Sequence, residues 1–198
     1  DIHYGQFEIY NNSSLYDFIK TISSPSNYYD KITIIEGSSK NELNNVLSKK
    51  FTNYEELKYS QVIADTYFFN NGLDFNELKK NFKINFNEIK NKFSTHELSN
   101  KFTFKQILII GSLLEKEGID YKDMKNIYSV IINRLNISMR LQIDATVIYA
   151  LTNGKNNLDR NLTYNDLKIQ HEYNTYHIYG LPPEPICYVG LKTIELIL

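Results

Sequence analysis

Only one cysteine, Cys187, stands in the 198 residues, so no internal disulfide can form, and thiol usage points to neither an oxidising nor a reducing compartment. At 42% hydrophobic and 14% aromatic content, the chain can bury a real core without cross-links or metals. Cys187 is expected there as a small apolar residue. Net charge is scarce as well: at -1 there is no clustered cationic excess to track phosphates. That argues against a general nucleic-acid binder and suits sugars or neutral polymers better. Long apolar runs are missing. The longest, such as Ile107 to Ile110, fall far short of the ~20 residues a membrane span needs, and no signal peptide is visible. No methionine precedes Asp1, as expected of a processed or shortened chain with any anchor lying upstream. Internal repeats and low-complexity tracts are also absent.

The first fifty residues alternate element types. Residues 4–10, YGQFEIY, alternate faces like a half-buried strand. Behind a serine cap, Leu15, Phe18, Ile19 and Ile22 fall at helical spacing. KITII at 31–35 predicts a second strand, and residues 38–50 a second helix with Leu43, Val46 and Leu47 inward. From about residue 55 the periodicity is helical apart from turns. Phe75, Leu78, Phe82, Phe86, Ile89 and Phe93 form one apolar stripe, which reads as core. Two further helices follow, separated by GID, with Gly118 suited to end the first. The reading is an α+β chain: a small α/β module over 1–50, then a mainly helical part over 51–198.

Proline and arginine are sparse, and their positions are informative for that reason. Three of the four prolines lie in GLPPEP at 180–185, which must be extended or turned; Pro182 and Pro183 are expected to stiffen that loop. Only three arginines, Arg134, Arg140 and Arg160, occur against nineteen lysines. Where positive charge alone would serve, this chain uses lysine; arginine adds a planar fork of donors able to hold a carboxylate or a loop carbonyl in fixed orientation.

On the helix expected over 104–117, Glu117 lies three residues after Leu114, four after Leu113 and seven after Ile110, so it projects from the apolar stripe. Glu115 points elsewhere. A carboxyl among aliphatic side chains favours its neutral form, which is the state a general acid needs near neutral pH. A glutamate at a helix end can equally bend to solvent or pair with a lysine, and the helix alone does not decide. Asn133, Gln142, Asp144, Asn174 and Tyr176 are donors and acceptors of the kind that bind sugar hydroxyls and acetamido groups. Tyr149, Tyr173, Tyr176 and Tyr179 offer flat faces to pyranose rings.

Five linked pieces, LLEKE (113–117), VIINRL (130–135), MRLQIDATVIYAL (139–151), YNTYHIYGLPPEPI (173–186) and GL (190–191), resemble in order and spacing the endolytic murein transglycosylases, the YceG-like family. Weaker echoes, YGQFEI, IIEG and ADTYFF, extend the resemblance over nearly the whole chain. It implies a partial LysM-like module followed by a lysozyme-like catalytic domain with a groove between the EKE helix and the GLPP loop. The implied activity is a peptidoglycan lytic transglycosylase that cuts the β-1,4 bond between N-acetylmuramic acid and N-acetylglucosamine, leaving 1,6-anhydro ends. The family's catalytic glutamate matches Glu117, and no metal or cofactor is implied. Gln142, Asp144, Asn174, Tyr176, Tyr149 and Asn133 would line the groove, with Arg140, Pro182 and Pro183 supporting it, although Asp144 and Arg140 could instead pair with each other.

The implied partners are glycan strands, together with peptidoglycan synthases or division and elongation proteins. The implied location is the bacterial cell envelope, anchored upstream in the inner membrane with the catalytic part outside the cytoplasm. Family members continue past IELIL into a strand-rich segment, so the catalytic domain is expected to be shortened at its C-terminus. Two alternatives stay open: a two-carboxylate muramidase using Asp120 or Asp144 with water, and a catalytically silent glycan-binding or scaffold protein.

Overall fold

The computed structural model describes residues 2, 7–24, 28–70, 74–155 and 158–198. Side-chain caps set most of the helix starts. α1 (Leu15–Ile22) and α2 (Lys40–Lys50) each begin with a reciprocal box, Ser14 with Asp17 and Ser39 with Glu42, which satisfies backbone donors that would otherwise lack partners. Between them runs β1 (Tyr29–Thr33). It pairs antiparallel with β2 (Thr66–Asn70), with Thr33 opposite Thr66, and the Thr33 and Thr66 hydroxyls meet at 3.0 Å. α3 (Phe75–Ser94) starts on Asp74, α4 (Phe104–Glu117) on a Thr103–Gln106 box and α5 (Tyr121–Asn136) on Asp120. α6 (Asp144–Thr152) and α7 (Leu191–Ile197) complete the regular elements, with 3₁₀ turns at Glu97–Asn100 and Asp166–Lys168.

This is an α+β arrangement with a small two-stranded sheet, and several expectations need correction. Of the strand expected over 4–10, residues 4–6 lie outside the described ones and 7–10 are not strand. The second strand sits at 29–33 rather than 31–35. β2 interrupts the region expected to be helical throughout. α1 forms where expected but buries none of its residues: Leu15, Phe18 and Ile19 are exposed. Val46 is exposed too, while Leu43 and Leu47 face the core.

Among the described residues, apolar packing falls into two clusters. One joins Ile32, Ile34, Leu43 and Leu47 to Leu57, Phe69, Phe75, Leu78, Phe82 and the distant Tyr188. A boundary after residue 50 would therefore cut between the strands of one sheet. The other is built on α4, where Ile107, Ile110, Leu113 and Leu114 pack with Ile89, Ile131, Ile143, Val189 and Ile194. Each fully buried aliphatic or aromatic side chain stabilises by ~1.5–3 kcal/mol relative to exposure, so α4 is the best-anchored element. The segment 186–190 joins the clusters. Gly37 N–H donates to Tyr188 O at 2.9 Å, Tyr188 N–H to Ser38 O at 3.1 Å and Ala64 N–H to Val189 O at 2.8 Å. It passes so close to α4 that a Cβ on Gly111 would lie 2.6 Å from Val189 Cγ1.

Candidate functional site

Burial along α4 stops at Leu114, and the last turn carries Glu115, Lys116 and Glu117 out of the core. The two glutamates then part. Glu115 turns to the 186–190 segment and accepts the Gly190 N–H at 3.0 Å, at the start of α7. Glu117 turns towards the first residues of α6. It is an exposed residue rather than one sunk among aliphatic side chains, so the expectation from the helix face is met only in part. Its carboxyl is nevertheless partly withdrawn from water, and this desolvation holds its pKa above the ordinary glutamate value. The Ala145 N–H opposes the rise as a hydrogen-bond donor, and the negative charge of Asp144 adds to it.

The segment opposite Glu117 is held by buried hydroxyls. Ile143 N–H donates to Thr175 Oγ1 at 2.9 Å, Thr146 Oγ1 donates to Ile143 O at 2.6 Å, and the two threonine hydroxyls lie 2.9 Å apart. Gln142 N–H adds a bond to Thr175 O at 3.1 Å. Gln142 itself has φ +51°, a left-handed conformation uncommon for a non-glycine residue and costly by ~1–3 kcal/mol. Arg134 reinforces the turn by donating to the Leu141 carbonyl. Tyr176 donates its hydroxyl to Asp144 Oδ1 at 2.6 Å. Its pKa is pushed up to about 12 by desolvation first, then by the Asp144 bond and charge and by Glu117, with Arg134 opposing. Glu117, Asp144, Tyr176 and Arg134 thus share one electrostatic neighbourhood.

The other expected site residues divide. Asn174 is fully buried; its Nδ2 donates to Leu167 O and Ile169 O, and its Oδ1 accepts the Tyr176 N–H. It shapes the loop and presents no side-chain atom to an open groove. Asn133 is exposed on α5. Tyr149 is half-buried, its ring tilted against that of Tyr173 with centres 4.6 Å apart. Arg140 does not pair with Asp144: its guanidinium lies over the Tyr179 ring at 4.7 Å. Pro182 is buried and Pro183 exposed. Both line a shallow cavity with Phe102, Thr103 and Ile109 at the start of α4, the end away from Glu117. The opening that adjoins the Glu117 end lies elsewhere. It has a volume of about 690 Å³ and runs between α2 and α6, with Ala145, Ile148, Tyr149 and Lys116 in its wall.

Arg134 was singled out as a scarce arginine able to hold a loop carbonyl, and it holds that of Leu141; Thr146 and Thr175 were not singled out in the sequence. Their neighbours in DAT and YNTY were, but a hydroxyl pair 29 residues apart in sequence leaves no periodic signal. Among the described residues, no group of three or more His, Cys, Asp or Glu side chains is placed to hold a metal, and no helix is long and apolar enough to cross a membrane.

A family model described as the YceG-like family matches residues 1–198. An endolytic murein transglycosylase of Bacillus subtilis is 42% identical over 106 residues, which cover 54% of this chain and 26% of that protein. One from Streptococcus pneumoniae is 35% identical over 121 residues, 60% of this chain and 20% of that protein. The chain therefore matches about a quarter or less of these relatives' lengths. In fold it is similar to the crystal structure of a yceG-like protein from Listeria monocytogenes, with TM-score 0.71 and 22% identity, covering 99% of this chain and 75% of that one.

Proposed function

Because the chain belongs to the YceG-like family, we propose that it carries the catalytic machinery of a peptidoglycan lytic transglycosylase, with Glu117 as its single acid and base. In this reading the neutral Glu117 carboxyl protonates the bridging oxygen between N-acetylmuramic acid and N-acetylglucosamine. The C1–O4 bond breaks as the substrate's own C6 hydroxyl attacks C1. The Glu117 carboxylate then takes that hydroxyl's proton, C1–O6 forms, and a 1,6-anhydro end remains. One carboxyl suffices because no water is activated, in contrast to the paired carboxylates of hydrolases. The proton returns to Glu117, so the group is reset without metal or cofactor.

The observation that carries this reading is the raised pKa of Glu117 at a site where the Ala145 N–H can also stabilise the anion formed after proton transfer. Gln142, exposed on its strained turn, and the Tyr176–Asp144 pair are the polar groups that meet the acetamido and hydroxyl groups. Tyr149 is a wall, and Asn133 lies farther along the strand's path. Arg140, Pro182 and Pro183 hold neighbouring loops. The unit around the two-stranded sheet is the LysM-like part and the helices around α4 the lysozyme-like part. The relatives named as murein transglycosylases support an envelope location; an upstream inner-membrane anchor, and synthases or division and elongation proteins as partners, are part of the same proposal.

Digestion of purified sacculi tests the reading. The wild-type chain is expected to release fragments with anhydro ends, and Glu117→Gln, which keeps the shape and removes the titrating proton, to lower the rate by at least ~10²-fold. A second reading is favoured by the Asp144 charge felt at Glu117: a muramidase in which Asp144 directs water. Reducing ends in place of anhydro ends would select it, and absence of any fragments at every pH would leave a silent glycan-binding protein.

A further inference from the structure

The chemistry at Glu117 gives no role to the 690 Å³ opening between α2 and α6, whose size lies within the range of ligand sites. It shares a wall with the reacting centre. Ala145 lines it and offers its N–H to the Glu117 carboxyl, and Lys116 is the residue next to Glu117. Asn41 closes the far side by donating to the Lys155 carbonyl at 2.8 Å.

The lining is charged. Lys116, Lys155 and Asp159 stand with Ser39, Asn45 and the Tyr149 ring around the opening. Among the described residues, neither Lys116 nor Lys155 forms an ion pair. Glu42, also in the lining, has its carboxylate accepting the Ser39 N–H at 2.6 Å and feels the Lys116 charge without forming an ion pair with it. A neutral sugar ring needs hydroxyl partners and a flat face; unpaired cations facing a carboxylate suit an appendage that carries both signs.

We propose that this opening receives the peptide stem of the muramic acid residue whose bond is cut, so that peptide-bearing strands are preferred over bare glycan; this rests on the transglycosylase reading. The stem hangs from the lactyl ether at C3 of the same ring that presents C1 to Glu117. A ring seated at Glu117 therefore delivers its stem to whatever opening adjoins that carboxyl. Lys116 and Lys155 meet the stem's carboxylates, Asp159 meets its side-chain amine, and Asn45 bonds to its amides.

The test uses the Glu117→Gln chain, which cannot turn over, and titrates it calorimetrically with a soluble GlcNAc–MurNAc disaccharide carrying a tetrapeptide and with the same disaccharide stripped of its peptide. The peptide-bearing form is expected to bind at least tenfold more tightly, about 1.4 kcal/mol. Adding Lys155→Glu, or Asn45→Trp to fill the opening from an exposed helix position, erases that ratio, whereas Lys155→Arg keeps it. Equal binding of the two ligands, or a Lys155→Glu effect that weakens both alike, overturns the proposal. End-group analysis of wild-type digests reports separately on the reaction. Anhydro ends without a binding preference sink the stem site alone; a preference that persists while only reducing ends appear sinks the transglycosylase reading and leaves the stem site standing.

Discussion

Glu115 and Glu117 sit on the same helical turn and answer to different neighbours. Glu115 is tied to the Gly190 N–H, so Glu115→Gln, which retains an oxygen acceptor, is expected to keep its activity, while Glu115→Ala costs ~1 kcal/mol of stability. Glu117 carries the opposite signature. Its pKa is raised in the fold, so the folded chain holds its proton more tightly than the unfolded chain does. The linkage then works against the fold as pH climbs: stability is lost from the ordinary glutamate pKa of ~4.3 up to the raised folded value, and the loss is complete above it. Glu117→Gln has no proton to lose. Its thermal midpoint is expected to exceed the wild type's at pH 7, by no more than ~3 °C given the exposure of the side chain, and the difference to vanish below pH ~4. Differential scanning calorimetry across that range checks it; equal midpoints at every pH would remove the evidence for a strained, functional carboxyl.

At the scale of elements, the start of α6 is positioned by its partner loop. No side chain caps α6 at Ile143; the Thr146 and Thr175 hydroxyls and the Arg134 guanidinium hold the turn that leads into it. Thr175→Val keeps the shape and strands the buried Ile143 N–H and one face of the Thr146 hydroxyl. The expected cost is ~1–3 kcal/mol, together with a loss of activity larger than that of an equally destabilising core change, because the Ala145 N–H and Asp144 shift relative to Glu117. Chemical denaturation paired with sacculus digestion at a permissive temperature measures both. What the sequence disclosed follows from the same physics. Helical spacing and caps are local, so α3, α4 and α5 were readable from a few residues each; the exposure of Glu117 was not, because helical spacing puts it on the apolar face of α4 without showing that burial there ends at Leu114. Asn174 was read as a sugar ligand because amides bind sugars, yet burial gave both ends of its amide to backbone groups. Burial of that kind depends on contacts between segments, and no local pattern records it.

Across the whole molecule, the least readable feature was how the first fifty residues join the rest. α1 carries a helical apolar pattern but buries nothing, whereas β1, the residue following it and α2, with weaker patterns, supply Ile32, Ile34, Leu43 and Leu47 to a core shared with Leu57, Phe69, Leu78, Phe82 and Tyr188. A strand of five residues gains its place from the pairing partner it finds, and that partner lies beyond the boundary that composition suggested. Two truncations separate these contributions. Deleting residues 1–27 removes α1 and is expected to shift the thermal midpoint by less than ~2 °C, since no described side chain there is buried. Deleting residues 1–50 exposes one edge of β2 and empties four aliphatic side chains from the shared core, each worth ~2–5 kcal/mol when truncated. Together that is ~8–20 kcal/mol, as large as or larger than the ~5–15 kcal/mol that holds an ordinary domain together. The 51–198 chain is therefore expected to lose cooperative unfolding and near-ultraviolet dichroism while α4 and α5 retain helical signal. A cooperative transition in 51–198 at the full chain's midpoint would show instead that the helical part stands without β1 and α2.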